Sequence, residues 1–133
     1  MKPEQRLSVI SQALWIRNNS ALLSKDEVFR FIAELDQLGL FSIRQLSKIS
    51  NNKISSTTLS RYLPERKRIG GRLNPKSLED ILECFLEAEK TSINYRLVRK
   101  VLSMGTSQNV LARLTGIPQS TMSRRVKDGP VLT

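Results

Sequence analysis

Histidine is absent from the chain, and cysteine occurs once, at Cys84. The first absence excludes imidazole acid–base catalysis, His-activated nucleophiles and ordinary zinc sites together. A lone cysteine forms no internal disulfide, and among Ile81, Leu82, Phe85 and Leu86 it reads as a buried thiol of a reducing compartment. Aromatics make up only 5% of the residues. Trp15 and Tyr62 share no regular spacing with others, which argues against a stacking platform for single strands and makes Trp15 a core or dimer contact. No apolar run approaches the roughly 20 residues of a spanning helix, and the polar start Met-Lys-Pro-Glu-Gln is no signal peptide, so a cytoplasmic protein is expected. Gly-rich phosphate loops, paired metal-ligand motifs and spaced carboxylates outside one solvated helix are missing as well. Neither a catalytic centre nor a cofactor is expected.

What is abundant is positive charge. Twenty-two Lys and Arg against twelve Asp and Glu leave a formal +10 over 133 residues, with a 39% apolar content sufficient for a modest core. The cations are clustered: Gln37 to Leu78 holds nine with one acid, Glu65, and Lys90 to Lys127 holds eight with none. Between them lies an acidic stretch, Glu79, Asp80, Glu83, Glu87 and Glu89, suited to solvent or a partner subunit and not to phosphate. Two basic blocks of this kind point to a polyanion, with nucleic acid as the leading partner.

Apolar spacing is helical nearly throughout, and no stretch alternates as a strand would, so the fold class is all-α. Pro3 opens a helix with an apolar stripe of Leu7, Ile10, Ala13 and Leu14, broken at Asn18-Asn19-Ser20. Ser24 and Glu27 form a capping box for a second helix, with Val28, Phe31, Ile32, Leu35 and Leu38 inward and Gly39 as its stop. Ser42 and Gln45 open a short helix with Leu46 and Ile49, and another short helix runs to Leu63. Pro64 ends it. Residues 65–74 carry Pro64's neighbours Glu65 to Asn74, rich in Gly and cations, and read as an exposed, mobile basic connection between units 1–64 and 75–133. Asn74 and Pro75 launch the helix of Leu78, Ile81, Leu82 and Phe85; another follows from about Ser92 to Met104, and a closing pair ends at Asp128-Gly129-Pro130.

That closing pair, QNVLARLTGIPQSTMSRRV from Gln108 to Val126, has the pattern of two helices crossing at a tight turn. Ala112 is small where the helices approach, Gly116 suits the positive φ of the turn, and Leu114, Ile117 and Met122 seal the angle, with Val110 or Leu111. Pro118, Gln119, Ser120 and Thr121 then stand at the start of the second helix, where side chains enter a major groove. The segment resembles the helix-turn-helix of the lambda-repressor-like superfamily, and Ile117 to Arg124, IPQSTMSR, is especially similar to the lac-repressor branch. The resemblance covers about twenty residues. It implies that Gln119 and Ser120 read base edges, that Thr121 and Ser123 contact backbone or thymine methyl, and that Arg124 supports phosphate binding. Arg125 departs from the family, which usually has an apolar residue there.

Ile43 to Leu63 matches the same segment once two residues are added in its turn. Leu46 pairs with Leu111, Ser47 with Ala112, Ile54 with Ile117, Ser56-Thr57-Thr58 with Gln119-Ser120-Thr121, Leu59 with Met122, and Ser60-Arg61 with Ser123-Arg124. This reads as a pseudo-repeat of small helical units, each with a helix-turn-helix, at 43–63 and 108–126. Ser56, Thr57, Thr58 and Ser60 are then candidate base readers beside Gln119, Ser120, Thr121 and Ser123. Arg44, Lys48, Lys53, Arg61, Arg113, Arg124, Arg125 and Lys127 are candidate phosphate contacts, since cations on a first helix or loop edge fix orientation. Arg66, Lys67, Arg68 and Arg72 either follow the backbone or enter a narrow minor groove as an arm, or belong to a solvated connection.

The expectation is a double-stranded-DNA-binding regulator, a repressor of the mobile-element or bacteriophage type, acting as a two-headed monomer or a homodimer. Two other readings stay open: a DNA-recognition adaptor for partition, replication or recombination, and a homodimeric interaction module built on the Pro3 or Leu78 helix.

Overall fold

The computed structural model describes residues 2–68, 70–90 and 95–127, with 87–90 and 124–127 described by backbone alone. Every regular element among them is helical: α1 (Pro3–Asn19), α2 (Lys25–Leu35), α3 (Ile43–Ile49), α4 (Ser56–Tyr62), α5 (Leu78–Lys90), α6 (Tyr95–Ser103), α7 (Gln108–Thr115) and α8 (Gln119–Lys127). The all-α expectation holds. The residues from 91 to 94, where the expected Ser92 start falls, and the expected Asp128-Gly129-Pro130 end lie outside the described residues.

Local chemistry starts these helices where the sequence puts it. Ser24 Oγ accepts from the Glu27 amide at 3.2 Å while Glu27 Oε1 accepts from the Ser24 amide at 3.1 Å. Ser42 and Gln45 repeat the exchange at 3.1 and 2.9 Å. Asn74 Oδ1 accepts from the Lys76 amide at 3.0 Å and opens a 3₁₀ turn, Pro75–Ser77, that leads into α5. Asp36–Leu38 is a second such turn at the end of α2. Its tighter winding shifts the helical register, so Leu38, expected to be buried, stands 44% exposed.

Helix α1 is the centre of the packing and touches α2, α3, α5 and α7. Ile10 and Ala13 are buried as expected, joined by Val9 and Ile16, while Leu7 and Leu14 sit at the margin. Helix α5 packs on α1, α6 and α7, and α8 packs on α6 and α7. One cluster of buried side chains, from Val9 through Leu46 and Leu59 to Leu111 and Met122, runs through both halves of the chain. Cys84 is buried within it. Trp15 lies at the rim, edge-on to Phe31 at 5.0 Å. Asp80, on the acidic α5, pairs with Lys100 at 3.1 Å; the side chains of Glu87 and Glu89 lie outside the described residues. Among the described residues, no helix is long and apolar enough to cross a membrane.

The connection between the halves differs from expectation. It is pinned at both ends and in its middle. Arg68 forms a two-pronged ion pair with the buried Asp36, Nε to Oδ1 at 2.9 Å and Nη2 to Oδ2 at 3.0 Å, and Arg66 Nη1 donates to the carbonyls of Asp36 and Gln37. Gly71 O accepts from Gln45 Nε2 on α3, and the Arg72 backbone exchanges hydrogen bonds with Ser107 at the start of α7. Leu73 is buried. Gly71, at φ +106°, lies so close to α7 that a Cβ there would stand 2.5 Å from Ser107 Oγ and 2.7 Å from Asn109 Oδ1. The composition that suggested mobility has a different cause: the glycine is needed for close passage and the arginines for anchoring.

Candidate nucleic-acid interface

Helices α3 and α4 are joined by a wide turn held together by hydroxyls. Ser47 Oγ donates to Ile54 O at 2.8 Å, Ser50 Oγ donates to Ser47 O at 2.6 Å, and the Ile54 amide donates to Ser50 Oγ at 3.2 Å. Asn51 and Asn52 take left-handed backbone, φ 58° and 62°, which is how two additional residues fit. The turn is docked on the C-terminal end of α1: Asn51 Nδ2 donates to Arg17 O at 2.9 Å and Ser20 Oγ at 2.7 Å, and Lys53 Nζ donates to the carbonyls of Ser20 and Leu23. Helix α4 is capped by Ser55, whose Oγ accepts from the Thr58 amide and bonds to Thr58 Oγ1. Thr57, Ser60 and Arg61 are exposed, Ser56 is half-buried, and with Ile43 and Arg44 they line one shallow groove.

Helices α7 and α8 meet at a shorter turn. Gly116 has φ +81° and its amide donates to Ala112 O at 2.8 Å. Arg6 of α1 lies over it: Arg6 Nε donates to Arg113 O at 3.3 Å, and a Cβ on Gly116 would stand 2.9 Å from the guanidinium. Val110, Leu111, Leu114, Ile117 and Met122 are buried and seal the angle between the helices. Gln119, Ser120 and Ser123 are exposed and Thr121 is half-buried. Gln119 borders a cleft of about 550 Å³ that also receives Arg6, Lys67 and Arg113.

The structure thus brings Gln119 and Ser120 at the start of α8, Thr57 in the first turn of α4, and Ser123 and Ser60 one turn further along to the surface, with cations nearby. Thr58 is committed to the Ser55 cap. Of the expected phosphate contacts, Arg44, Lys48, Arg61, Lys67, Arg72 and Arg113 are exposed. Lys53, Arg66 and Arg68 are corrections: their donors go to carbonyls or to Asp36 and fasten the α3–α4 turn and the connection to the rest of the fold. The side chains of Arg124, Arg125 and Lys127 lie outside the described residues.

Sequence reasoning missed Arg6, Arg17, Asn51 and Lys76. The first three fasten α1 to its neighbours, and Arg17 Nη1 donates to Pro75 O at 3.1 Å. Tandem Asn after a short helix was the available signal for a left-handed turn; nothing local marks Arg6 or Arg17, whose partners lie 107 and 58 residues away. Among the described residues, an acid with a shifted pKa stands at the start of α2: hydrogen bonds from the backbone and then the side chain of Ser24 hold the Glu27 carboxyl below its usual range. Comparison of the chain with protein-family models, curated proteins and solved structures finds no match in any of the three.

Proposed function

We propose that the chain is a sequence-specific double-stranded-DNA-binding regulator that inserts the starts of α4 and α8 into major grooves. The observation that carries this reading is the pair of short helices, α4 after a wide turn and α8 after a shorter one. Each exposes polar side chains along one face from its first turn, Thr57 and Ser60 on one, Gln119 and Ser120 on the other. Around them stand Arg44 and Arg61, and Lys67 and Arg113. A net charge of +10 supplies long-range attraction to the duplex, while hydroxyls and an amide supply hydrogen-bonding patterns that distinguish base edges. Repression by occupying a promoter is the simplest regulatory consequence.

Selection of bound duplexes from a random pool at about 150–200 mM salt tests the proposal, because phosphate attraction is then weakened and base reading must carry enrichment. Two enriched half-sites at one fixed spacing are expected. Binding with no enriched sequence, lost as salt rises, would refute base reading.

A further inference from the structure

A cleft of about 800 Å³ lies where the two halves meet. It is lined by four cationic side chains, Arg17 and Lys48 from the first half and Arg72 and Lys76 from the connection and the turn before α5, together with Asn51 and Asn52. No carboxylate among the described residues lines it. Among the described residues Arg66 and Arg68 pair with Asp36 and Lys100 with Asp80, and none of the four cations around the cleft belongs to these pairs. Four like charges around one concavity repel each other and concentrate positive potential inside it, a penalty that an anion removes.

The cleft is also continuous with the face of α4. Lys48 and Arg72 form part of a neighbouring groove with Arg44, and Arg44 borders the groove that holds Thr57, Ser60 and Arg61. Cations therefore run without interruption from the start of α4 to the seam. A track of this kind suits a row of regularly spaced phosphates.

We propose that the seam cleft is a phosphate-binding site, occupied by the sugar-phosphate backbone of the duplex that α4 reads, with Lys76 as a contact beyond the helix-turn-helix units and Arg17, whose Nη1 donates to Pro75 O, adding to the positive potential. The choice of duplex as the occupant rests on the reading under Proposed function; the phosphate chemistry of the cleft does not. Arg72 and Lys76 are the residues to change, because both are exposed and neither side chain takes part in an ion pair of the described fold.

The test compares the wild-type chain with R72Q/K76Q and K76Q, each first checked for an unchanged urea midpoint, by measuring duplex affinity across a salt series. Loss of two phosphate contacts is expected to reduce the slope of log affinity against log salt by about 1.8, and of one by about 0.9, equally on selected and random duplexes. A wild-type chain that selects a sequence, with variants that keep its slope and affinity, overturns the cleft proposal and leaves the regulator reading intact. If the wild-type chain binds no duplex, inorganic tripolyphosphate decides the remaining chemistry. Amide resonance shifts at Asn52, Leu73 and Gly105 that vanish in R72Q/K76Q then assign the cleft to a free phosphoanion, and their absence overturns it.

Discussion

Replacing Arg68 by Ala distinguishes a structural cation from a DNA contact, and the structure sets the size of the effect. The carboxylate of Asp36 is 1% exposed and the Arg68 side chain 12%, so both charges are largely removed from water. Their two hydrogen bonds, at 2.9 and 3.0 Å, use both carboxylate oxygens, and Arg68 Nη2 also donates to Pro64 O at 2.6 Å. Removing the guanidinium leaves Asp36 with Arg66 Nε at 3.8 Å as its remaining ion-pair partner. Breaking one side of a buried pair costs about 3–5 kcal/mol, a large share of the ~5–15 kcal/mol that holds a domain folded. With a urea m-value near about 2 kcal/mol/M, the midpoint falls by about 1.5–2.5 M. Asp36→Leu/Arg68→Met, which removes both charges and keeps apolar volume, should regain most of that loss, because no buried charge is stranded. Urea unfolding of the three proteins, followed by circular dichroism, reads this directly. Duplex affinity across a salt series on folded Arg68→Ala should keep the wild-type slope. An unchanged midpoint together with a slope reduced by about 0.9 would refute the reasoning and return Arg68 to the phosphate contacts.

Gln119→Ala should cost on the order of 1–3 kcal/mol on the selected duplex and little on random DNA, measured by competition binding; equal losses on both would remove its base-reading role. Lys53→Met removes charge-assisted hydrogen bonds to the end of α1 and should lower stability by about 1.5–3 kcal/mol without altering the salt slope. Gly71→Ala forces a side chain into left-handed backbone against Ser107 and should destabilise by at least about 1–3 kcal/mol in thermal or urea unfolding. Glu27 has a lowered folded pKa, so its contribution to stability is present above the unfolded value and lost as pH falls through the folded one. Ser24→Ala keeps the backbone hydrogen bond and removes the hydroxyl, so it should move the Glu27 titration, followed by carboxyl carbon resonance, part of the way toward the ordinary carboxylate range; an unmoved titration would show that the Ser24 hydroxyl does not contribute to it.

Helix starts were legible because they depend on side chains three residues apart. Ser24 with Glu27, Ser42 with Gln45, and Asn74 before Pro75 act where the sequence puts them, and Gly116 takes the positive φ its turn requires. Burial along α4 and α8 followed from apolar spacing, which left the polar starts of both helices facing out. Long-range partners were not legible. A guanidinium reads as surface charge in a sequence, and whether Arg68 meets phosphate or Asp36 depends on 32 residues of intervening fold. The connection was misjudged for the same reason, since Gly and Arg are equally the composition of a mobile arm and of a strand clasped between Gln45 and Ser107.

The same contacts fix how the helix pairs α3–α4 and α7–α8 are held on one chain. Arg6 reaches the turn between α7 and α8 from the N-terminal end of α1, and the Arg17 carbonyl receives Asn51 of the turn between α3 and α4 at the other end. Arg6 and Arg17 are eleven helical steps apart, which a rise of 1.5 Å per residue converts to about 16.5 Å. Helix α1 is therefore a strut whose length sets the separation of the two turns, and the pinned connection crosses between the first helices of both units. Basic side chains serve in two capacities: Arg6, Arg17, Lys53, Arg66 and Arg68 tie the frame to carbonyls and to Asp36, while Arg44, Lys48, Arg61 and Arg72 face outward. A two-headed protein with a flexible connection would accept variable half-site spacing. On the reading under Proposed function, a chain built on such a strut is expected to prefer a single half-site spacing and helical phase, which selection from duplexes with varied spacing would show as enrichment of one distance.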